Sequence, residues 1–305
     1  MFSIQTATNQ FLSNLSAVET RLTNDNRQVS SGLRVQTVSD APDSVSEILQ
    51  VNAQIASNNQ IKTNLGNAQL ETNVAEGAIN SATTLMDRAA QLATEGATDG
   101  SNVDRQQLAA QVQSILTEMQ QLTNTQVSGR YVFSGGMDQN APYGPVDLTA
   151  NPVNGVGGYQ GNGHAKTVGD SYGSQITVSL TAQQIFDGGA SGTPSNSVFQ
   201  SLTQLHAALI NNDPAATAVA AGNLATAANY LNQQQAIYGD FQQRVADALT
   251  SQGVLDTNLQ VELGNLQDAN EAQAIVHQQN DTTALTAAET AYSSFPKKSL
   301  FDYLG

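Results

Sequence analysis

Apolar residues recur at helical spacing along most of the chain. Near the N-terminus they follow 4–3–4–7 spacing, and two later stretches alternate steps of four and three. This spacing places apolar side chains on one face of a helix, so the first 128 residues are predicted to be helical. The predicted seams are Phe11, Leu15, Val18, Leu22 and Val29; then Ile61, Leu65, Ala68, Thr72, Ala75, Ile79, Ala82, Met86, Ala89 and Ala93; and then Leu108, Val112, Ile115, Met119 and Leu122.

The break between the first two helices is predicted at residues 39–42. Pro42 disfavours the helical conformation of the residue before it, and Asp40 can cap the helix that restarts. The next helix, from about Asp43 to Thr98, would be about 80 Å long at 1.5 Å per residue. The segment Ser30–Arg34 is also open to interpretation as an ordinary helix-breaking turn.

A third helix is predicted after a turn near residue 100. The pattern Ser101-x-x-Asp104 resembles a capping box at its start, and Ser128-Gly129 marks its end.

The composition changes between Gly129 and about Asn196. This stretch holds 14 of the 24 glycines and four of the seven prolines, which favour turns over long helices. Arg130–Phe133 and Gln175–Leu180 are short runs with the residue types of strands, and the second alternates with period two. A small β-rich insert is therefore predicted here.

Helical periodicity returns after Ser197. Asp213-Pro214 places a capping residue before a proline at the first helical position. One seam is predicted to continue through Leu224, Ala227, Leu231, Tyr238, Phe241, Val245, Ala248, Leu255, Leu259, Leu266, Ala269 and Val276, with Gln234, Gln252, Glu262 and Gln273 as polar interruptions.

The predicted fold class is mainly α. Long N- and C-terminal helices form an elongated helical rod and pair at one end, with the small β-rich insert at the other. Three domains follow from this arrangement. They are a terminal coiled-coil assembly domain (1–42 plus 278–305), a helical-bundle rod domain (43–128 plus 197–277) and a β-rich outer domain (129–196).

Charge and composition exclude several classes of function. The chain carries 11 basic and 26 acidic residues, a formal net charge of −15, so binding to nucleic acid or to an anionic membrane surface is disfavoured. The lack of cysteine excludes disulfides, thiolate metal sites and cysteine nucleophiles. No apolar run approaches the roughly 20 residues that span a bilayer, and the N-terminus lacks the features of a cleaved secretory signal. No membrane insertion is expected.

Residues with catalytic or metal-binding potential form no recognised arrangement. His164, His206 and His277 are far apart and match no HExxH motif, and the glycines of 155–163 fit neither common nucleotide-binding pattern. No GxSxG motif occurs, and no pair of carboxylates suggests acid–base catalysis. The sequence therefore predicts no catalytic residue, no cofactor site, no metal site and no enzymatic activity.

Several motifs resemble those of the bacterial flagellin family. RQVSSGLRVQTVSDAPDSVSE (Arg27–Glu47) resembles the N-terminal signature of flagellins and their hook-associated relatives, and Leu85–Gln126 is similar to the family's long helix, turn and return helix. GRYVFSGGMDQNAPY (Gly129–Tyr143) is similar to the hook-associated members at the hook–filament junction. So are GYQGNG with the later ITVSLTAQQIFDG (Gly158–Gly163 and Ile176–Gly188) and the C-terminal SLFDYLG.

The resemblance implies an extracellular structural role in the bacterial flagellum. In this family the terminal segments pair as a coiled coil that lines the inner tube, and export uses the flagellar type III apparatus without a cleaved signal. For this chain it implies an adaptor between the first hook-associated protein on the hook side and flagellin on the filament side. It also implies self-association in a ring and an export chaperone.

Candidate assembly residues follow from the same resemblance. Neither terminal helix can bury its apolar stripe alone, so burial is expected to be shared with neighbouring subunits. The predicted contacts are Phe11, Leu15, Val18, Leu22, Val29, Leu33, Leu300, Phe301, Tyr303 and Leu304. The seams at 61–93 and 108–122 are interpreted instead as intramolecular core.

Three other interpretations stay open. A short filament flagellin would share the helical signatures but usually lacks the insert motifs. A secreted coiled-coil effector would need a membrane-active apolar segment, and an enzyme built on the insert would need convergent acids or a metal site; the sequence contains neither feature.

Overall fold

The computed structural model describes residues 2–98, 104–188 and 196–294 of the chain. These residues form seven helices and two two-stranded antiparallel sheets. The helices are α1 (Phe2–Ser31), α2 (Pro42–Gly96), α3 (Arg105–Thr123), α4 (Ala182–Phe186), α5 (Val198–Ile210), α6 (Pro214–Gln267) and α7 (Glu271–Ser294); the strands are β1 (Gln126–Val127), β2 (Arg130–Tyr131), β3 (Lys166–Gly169) and β4 (Gln175–Ser179). The predicted mainly α fold with a small β-rich insert is confirmed.

The chain divides into two compact units. The terminal unit consists of Met1–Ser57 and Leu255–Gly305, and the central unit consists of Asn58–Val254. The three functional domains proposed from the sequence stay a prediction.

The central unit has one large hydrophobic core, and the seams predicted in α2 and α3 supply much of it. Every predicted seam position from Leu65 to Ala93 is buried, as is every one from Leu108 to Met119. Helices α5 and α6 complete this core with Val198, Phe199, Leu202, Leu205, Leu209, Leu224, Leu231 and Tyr238, among others. Removal of this apolar area from water is the main source of the unit's stability.

Side-chain caps set where three helices begin. Asp104, Ser197 and Asp213 each accept a hydrogen bond from the backbone N–H three residues later, at 3.1, 3.1 and 2.9 Å. Such a cap satisfies an N–H group that the first helical turn leaves unpaired. The predicted helix starts after Ser197 and at Pro214 are confirmed. Asp104 is itself the N-cap of α3, whereas Ser101 lies outside the described residues.

The first helix ends at a glycine turn. Gly32 has a φ of +72°, in the left-handed region that favours glycine, and its N–H donates to the carbonyl of Gln28 at 2.8 Å. This geometry supports the interpretation of Ser30–Arg34 as a helix-breaking turn, ten residues before the break predicted at Pro42.

Helices α6 and α7 are separated at residues 268–270, although the sequence predicted one seam that continues through Val276. Asp268 forms an antiparallel bridge with Leu33, and this long-range pairing interrupts the helical backbone. The predicted seam is buried or half-buried as far as Ala269, but Val276 is 55% exposed because α7 restarts in a different register.

The insert contains two small hairpins. Strands β3 and β4 pair with Val168 opposite Ile176, and Ile176 and Val178 are buried in a second cluster that also contains Leu65, Ala68 and Val245. The strand predicted at Gln175–Leu180 is confirmed as β4. The run Arg130–Phe133 is a strand over its first two residues only, and Val132 and Phe133, which follow the strand, are buried in the large core.

Candidate assembly interface

Helices α1 and α7 form an antiparallel pair in the terminal unit. The rings of Phe11 and Tyr292 are stacked with centroids 5.5 Å apart and an interplanar angle of 12°. Further along, Nε and Nη2 of Arg21 donate to the two carboxylate oxygens of Asp281 at 3.1 and 3.2 Å. The hydrogen bond to Asp281, together with its charge, raises the pKa of Arg21. Contacts at two places along α1 thus align it with α7.

The predicted N-terminal assembly residues are half-buried. Five of them share one face of α1, whereas Leu33 follows the helix and takes part in the bridge to Asp268. The five on α1 are Phe11, Leu15, Val18, Leu22 and Val29. The predicted C-terminal residues Leu300, Phe301, Tyr303 and Leu304 lie outside the described residues.

The matching seam on α7 was not predicted from the sequence. Its buried or half-buried positions repeat at steps of 4–3–4–3, and they are Ala274, Gln278, Asp281, Leu285 and Ala288. The polar side chains of Gln278 and Asp281 interrupt the apolar pattern that would have revealed this seam. The sequence contained two signals for this seam, and each is a pair of residues. Asp281 has the charge opposite to that of Arg21, and Tyr292 has an aromatic ring that can stack on Phe11.

Backbone hydrogen bonds fix the register at the other end of the pair. The N–H of Ala269 donates to the carbonyl of Gly32 at 2.8 Å, and the N–H of Arg34 donates to the carbonyl of Gln267 at 2.8 Å. Nε2 of Gln267 also donates to the carbonyl of Val35 at 3.2 Å. Val35 is 4% exposed, so this junction has a small apolar centre.

Asp40 organises the loop between α1 and α2. Its Oδ2 accepts hydrogen bonds from the N–H groups of Thr37 at 2.8 Å and Gln36 at 3.0 Å. These backbone hydrogen bonds, with that of Thr37 the largest effect, lower the pKa of Asp40. The carboxylate therefore supports the preceding loop, and the prediction that it caps α2 is wrong.

Asp40→Ala should loosen this loop at neutral pH. Because the pKa of Asp40 is lowered by folding, its stabilising contribution is present above the ordinary value of about 3.9 and disappears as the pH falls through the lower folded value. Hydrogen–deuterium exchange, corrected for intrinsic rates, should be faster at Gln36 and Thr37 in the variant at neutral pH. The difference from the wild type should vanish below the folded pKa.

Ser39→Ala is the matched control, since it alters the same loop without removing the carboxylate. Equal protection of the two amides in Asp40→Ala and the wild type at neutral pH would contradict the assigned role of Asp40.

In the central unit, the two insert motifs pack against each other. The hydroxyl of Tyr159 donates to the carbonyl of Phe133 at 3.0 Å, and the N–H of Asn162 donates to the carbonyl of Ser134 at 3.2 Å. The N–H of Gly136 donates to Oδ1 of Asn162 at 2.7 Å. Burial raises the pKa of Tyr159 to about 12. The GRYVFSGG and GYQGNG segments thus form one hydrogen-bonded cluster that shapes the insert.

Asp187 joins two hydroxyl groups in the central unit. Asp187 accepts hydrogen bonds from the hydroxyls of Tyr143 at 3.2 Å and Ser197 at 2.8 Å. The pKa of Tyr143 is raised mainly by burial and to a smaller extent by Asp187.

In residues 2–98, 104–188 and 196–294, no group of three or more histidine, cysteine, aspartate or glutamate side chains is placed to hold a metal ion. Over the same ranges, no helix has the length and apolar character needed to cross a membrane.

Comparison with known proteins identifies the N-terminal region. Residues 2–138 match the family described as the bacterial flagellin N-terminal helical region. The match includes α1, α2, α3 and the first hairpin. The similarity to bacterial flagellins predicted from the sequence is confirmed over this region of the chain.

Solved structures with the same fold come from flagellar hook-associated proteins. A protein of Vibrio parahaemolyticus described as a flagellar hook-associated protein is 17% identical, with a TM-score of 0.64 over 75% of this chain and 100% of that one. Hook-associated protein 3 of Legionella pneumophila is 14% identical, with a TM-score of 0.61 over 72% and 98%. FlgL of Bacillus cereus is 17% identical, with a TM-score of 0.56 over 70% and 98%. No curated protein matches the chain significantly.

Proposed function

We propose that this protein is a structural adaptor of the bacterial flagellum that joins the hook side to the flagellin filament by helix packing, without catalysis. The observation that carries the proposal is the α1–α7 pair. Its predicted seam residues are only half-buried, whereas those of α2 and α3 are almost all fully buried. A single pair of helices leaves its apolar side chains partly exposed to water. Contacts with neighbouring subunits would complete their burial.

The proposed contacts combine both ends of the chain. Subunits would meet through the half-buried stripe on α1, together with Leu33 and the C-terminal Leu300, Phe301, Tyr303 and Leu304. In this arrangement residues 1–42 and 278–305 assemble, residues 43–128 and 197–277 form the rod, and residues 129–196 form the outer domain. Each apolar side chain that becomes buried would contribute about 1.5–3 kcal/mol.

The proposed partners are the first hook-associated protein on the hook side, flagellin on the filament side, further copies of this chain in a ring, and an export chaperone. The fold shared with solved flagellar hook-associated proteins supports this assignment. The protein would act outside the cell after export through the flagellar type III apparatus.

A short filament flagellin is the second candidate. The match of residues 2–138 to the flagellin N-terminal region favours it. An adaptor would build a short collar on the hook, whereas a filament flagellin would polymerise on itself.

Electron microscopy can separate the two candidates. Purified full-length protein is added to hooks that carry the first hook-associated protein and, separately, to short filament seeds. The adaptor proposal predicts a short collar on the hooks, from which added flagellin then polymerises. Long filaments grown from the seeds by this chain alone would establish the flagellin alternative, and binding to neither would exclude both. Hooks without the first hook-associated protein serve as the control.

A further inference from the structure

A polar cleft opens beside the junction between α1 and α2. Its volume is about 300 Å³, and Arg27, Arg34, Gln36, Ser39 and Asp40 are among the residues that line it. The cleft lies entirely within the terminal unit. Two arginine side chains at one cleft are notable in a chain with a net charge of −15.

Cations are scarce throughout the terminal unit. Met1–Ser57 and Leu255–Gly305 contain 12 acidic side chains and five Lys or Arg side chains, namely Arg21, Arg27, Arg34, Lys297 and Lys298. Arg21 already forms a two-point ion pair with Asp281. The two remaining guanidinium groups of this unit are therefore both in the cleft.

The carboxylate in the cleft neutralises these two arginines incompletely. Nη2 of Arg27 is 3.7 Å from Asp40, whose other oxygen binds two backbone N–H groups, and the Arg27 side chain remains 45% exposed. Nη2 of Arg34 donates to the carbonyl of Leu266 at 2.7 Å. Within the part of the chain that the structure describes, no carboxylate lies within 4 Å of Arg34. One carboxylate thus lies near Arg27 and none lies near Arg34, so positive charge is left facing solvent.

We infer that this cleft receives a carboxylate side chain from a second copy of the chain. The argument is charge complementarity: the terminal unit has an excess of acidic side chains, and Asp43 and Glu47 are exposed at the start of α2. Guanidinium groups bind carboxylates through paired, charge-assisted hydrogen bonds. The inference rests on the proposed ring assembly and identifies one electrostatic contact between subunits.

Arg27→Gln combined with Arg34→Gln tests the charge. Loss of both cations should lower collar occupancy on hooks about tenfold at low salt, and the difference should shrink near about 0.5 M salt, where exposed charges are screened. Arg244→Gln is the matched control, because it removes an exposed cation that pairs with Asp240 in the central unit. Occupancy that is equal in the double variant and the control at every salt concentration would overturn the inference.

A single thiol tests whether the cleft becomes covered. The chain has no cysteine, so Ser39→Cys places a unique thiol at the cleft and Val153→Cys places one at an exposed insert position. Maleimide labelling, read by mass spectrometry of each peptide, should be about tenfold slower at position 39 in collars than in monomers. Labelling at position 153 should not change.

The outcomes separate this inference from the proposed function. If the wild type forms no collars, the adaptor proposal fails. If collars form while position 39 labels as fast as in the monomer, only the cleft inference fails. If excess inorganic phosphate slows maleimide labelling of position 39 in the monomer as much as collar formation does, the cleft binds free anions. That result would also overturn the cleft inference. If Ser39→Cys itself prevents collar formation, the variant with both Arg27→Gln and Arg34→Gln still tests the cleft inference.

Discussion

Leu15→Asp should abolish incorporation of the protein into collars on hooks. Leu15 is half-buried on the seam of α1, so the substitution places a charge where an apolar side chain faces α7 and, in the proposed assembly, neighbouring copies. The loss of apolar burial and the cost of desolvating a carboxylate act together. We expect collar occupancy, counted by electron microscopy, to fall by at least about tenfold.

Two neighbouring positions provide the controls for this prediction. Asn14→Asp adds the same charge to an exposed side of α1 and should leave collars intact. Leu12 is 48% exposed, so Leu12→Asp should spare the α1–α7 pair and lower occupancy only if this exposed side also meets a neighbour. Hydrogen–deuterium exchange should show that α2 and α6 keep their amide protection in all three variants. Collars of wild-type abundance with Leu15→Asp would exclude the stripe on α1 as an assembly surface.

The seams of α2 and α3 could be predicted from the sequence because their periodicity is local. Steps of four and three from Leu65 to Ala93 place mostly apolar residues on one helix face, and all of these positions are buried. Leu108–Met119 follows the same rule. Helix starts could be predicted wherever the capping residue acts within a few positions, as at Ser197 and Asp213.

The turn at Ser30–Arg34 was one interpretation of the sequence, whereas the break at Asp268 was not predicted, because Asp268 pairs with Leu33 from the far end of the chain. Gly32 ends α1 in a left-handed conformation, and its carbonyl then accepts the N–H of Ala269 from the far end of the sequence. A contact between residues more than 230 positions apart has no local signature. The seam of the last helix was therefore extended in the wrong register to Val276.

The candidate interface was predicted in part. The stripe on α1 is apolar and was found by its spacing, whereas the seam of α7 includes Gln278 and Asp281, which a hydrophobic pattern cannot select. Specific pairing partners, such as Asp281 for Arg21, depend on the relative register of the two helices. That register is set by the long-range junction and not by either helix alone.

In the insert, too, the sequence did not indicate which distant segments are in contact, and the glycines illustrate this. The sequence indicated turns between Gly129 and Asn196, but it did not indicate which turns touch. Gly135 has a φ of +62°, and a Cβ atom there would lie 2.6 Å from the carbonyl oxygen of His164 and 2.7 Å from that of Asn162. These oxygens belong to backbone that cannot move aside like a flexible side chain. Gly135 thus has both a conformational and a steric reason to be glycine.

Gly135→Ala should consequently destabilise the central unit by about 2–4 kcal/mol, through left-handed backbone strain and displacement of the 162–164 segment. The free energy of unfolding is measured by urea denaturation. Gly129→Ala is the matched control, because Gly129 has a φ of +76° with no atom within 4 Å of the added Cβ. Gly129→Ala should therefore lower the free energy of unfolding only by the cost of the left-handed backbone, about 1 kcal/mol. If Gly135→Ala lowers the free energy of unfolding no more than Gly129→Ala does, the two motif segments can separate at little cost.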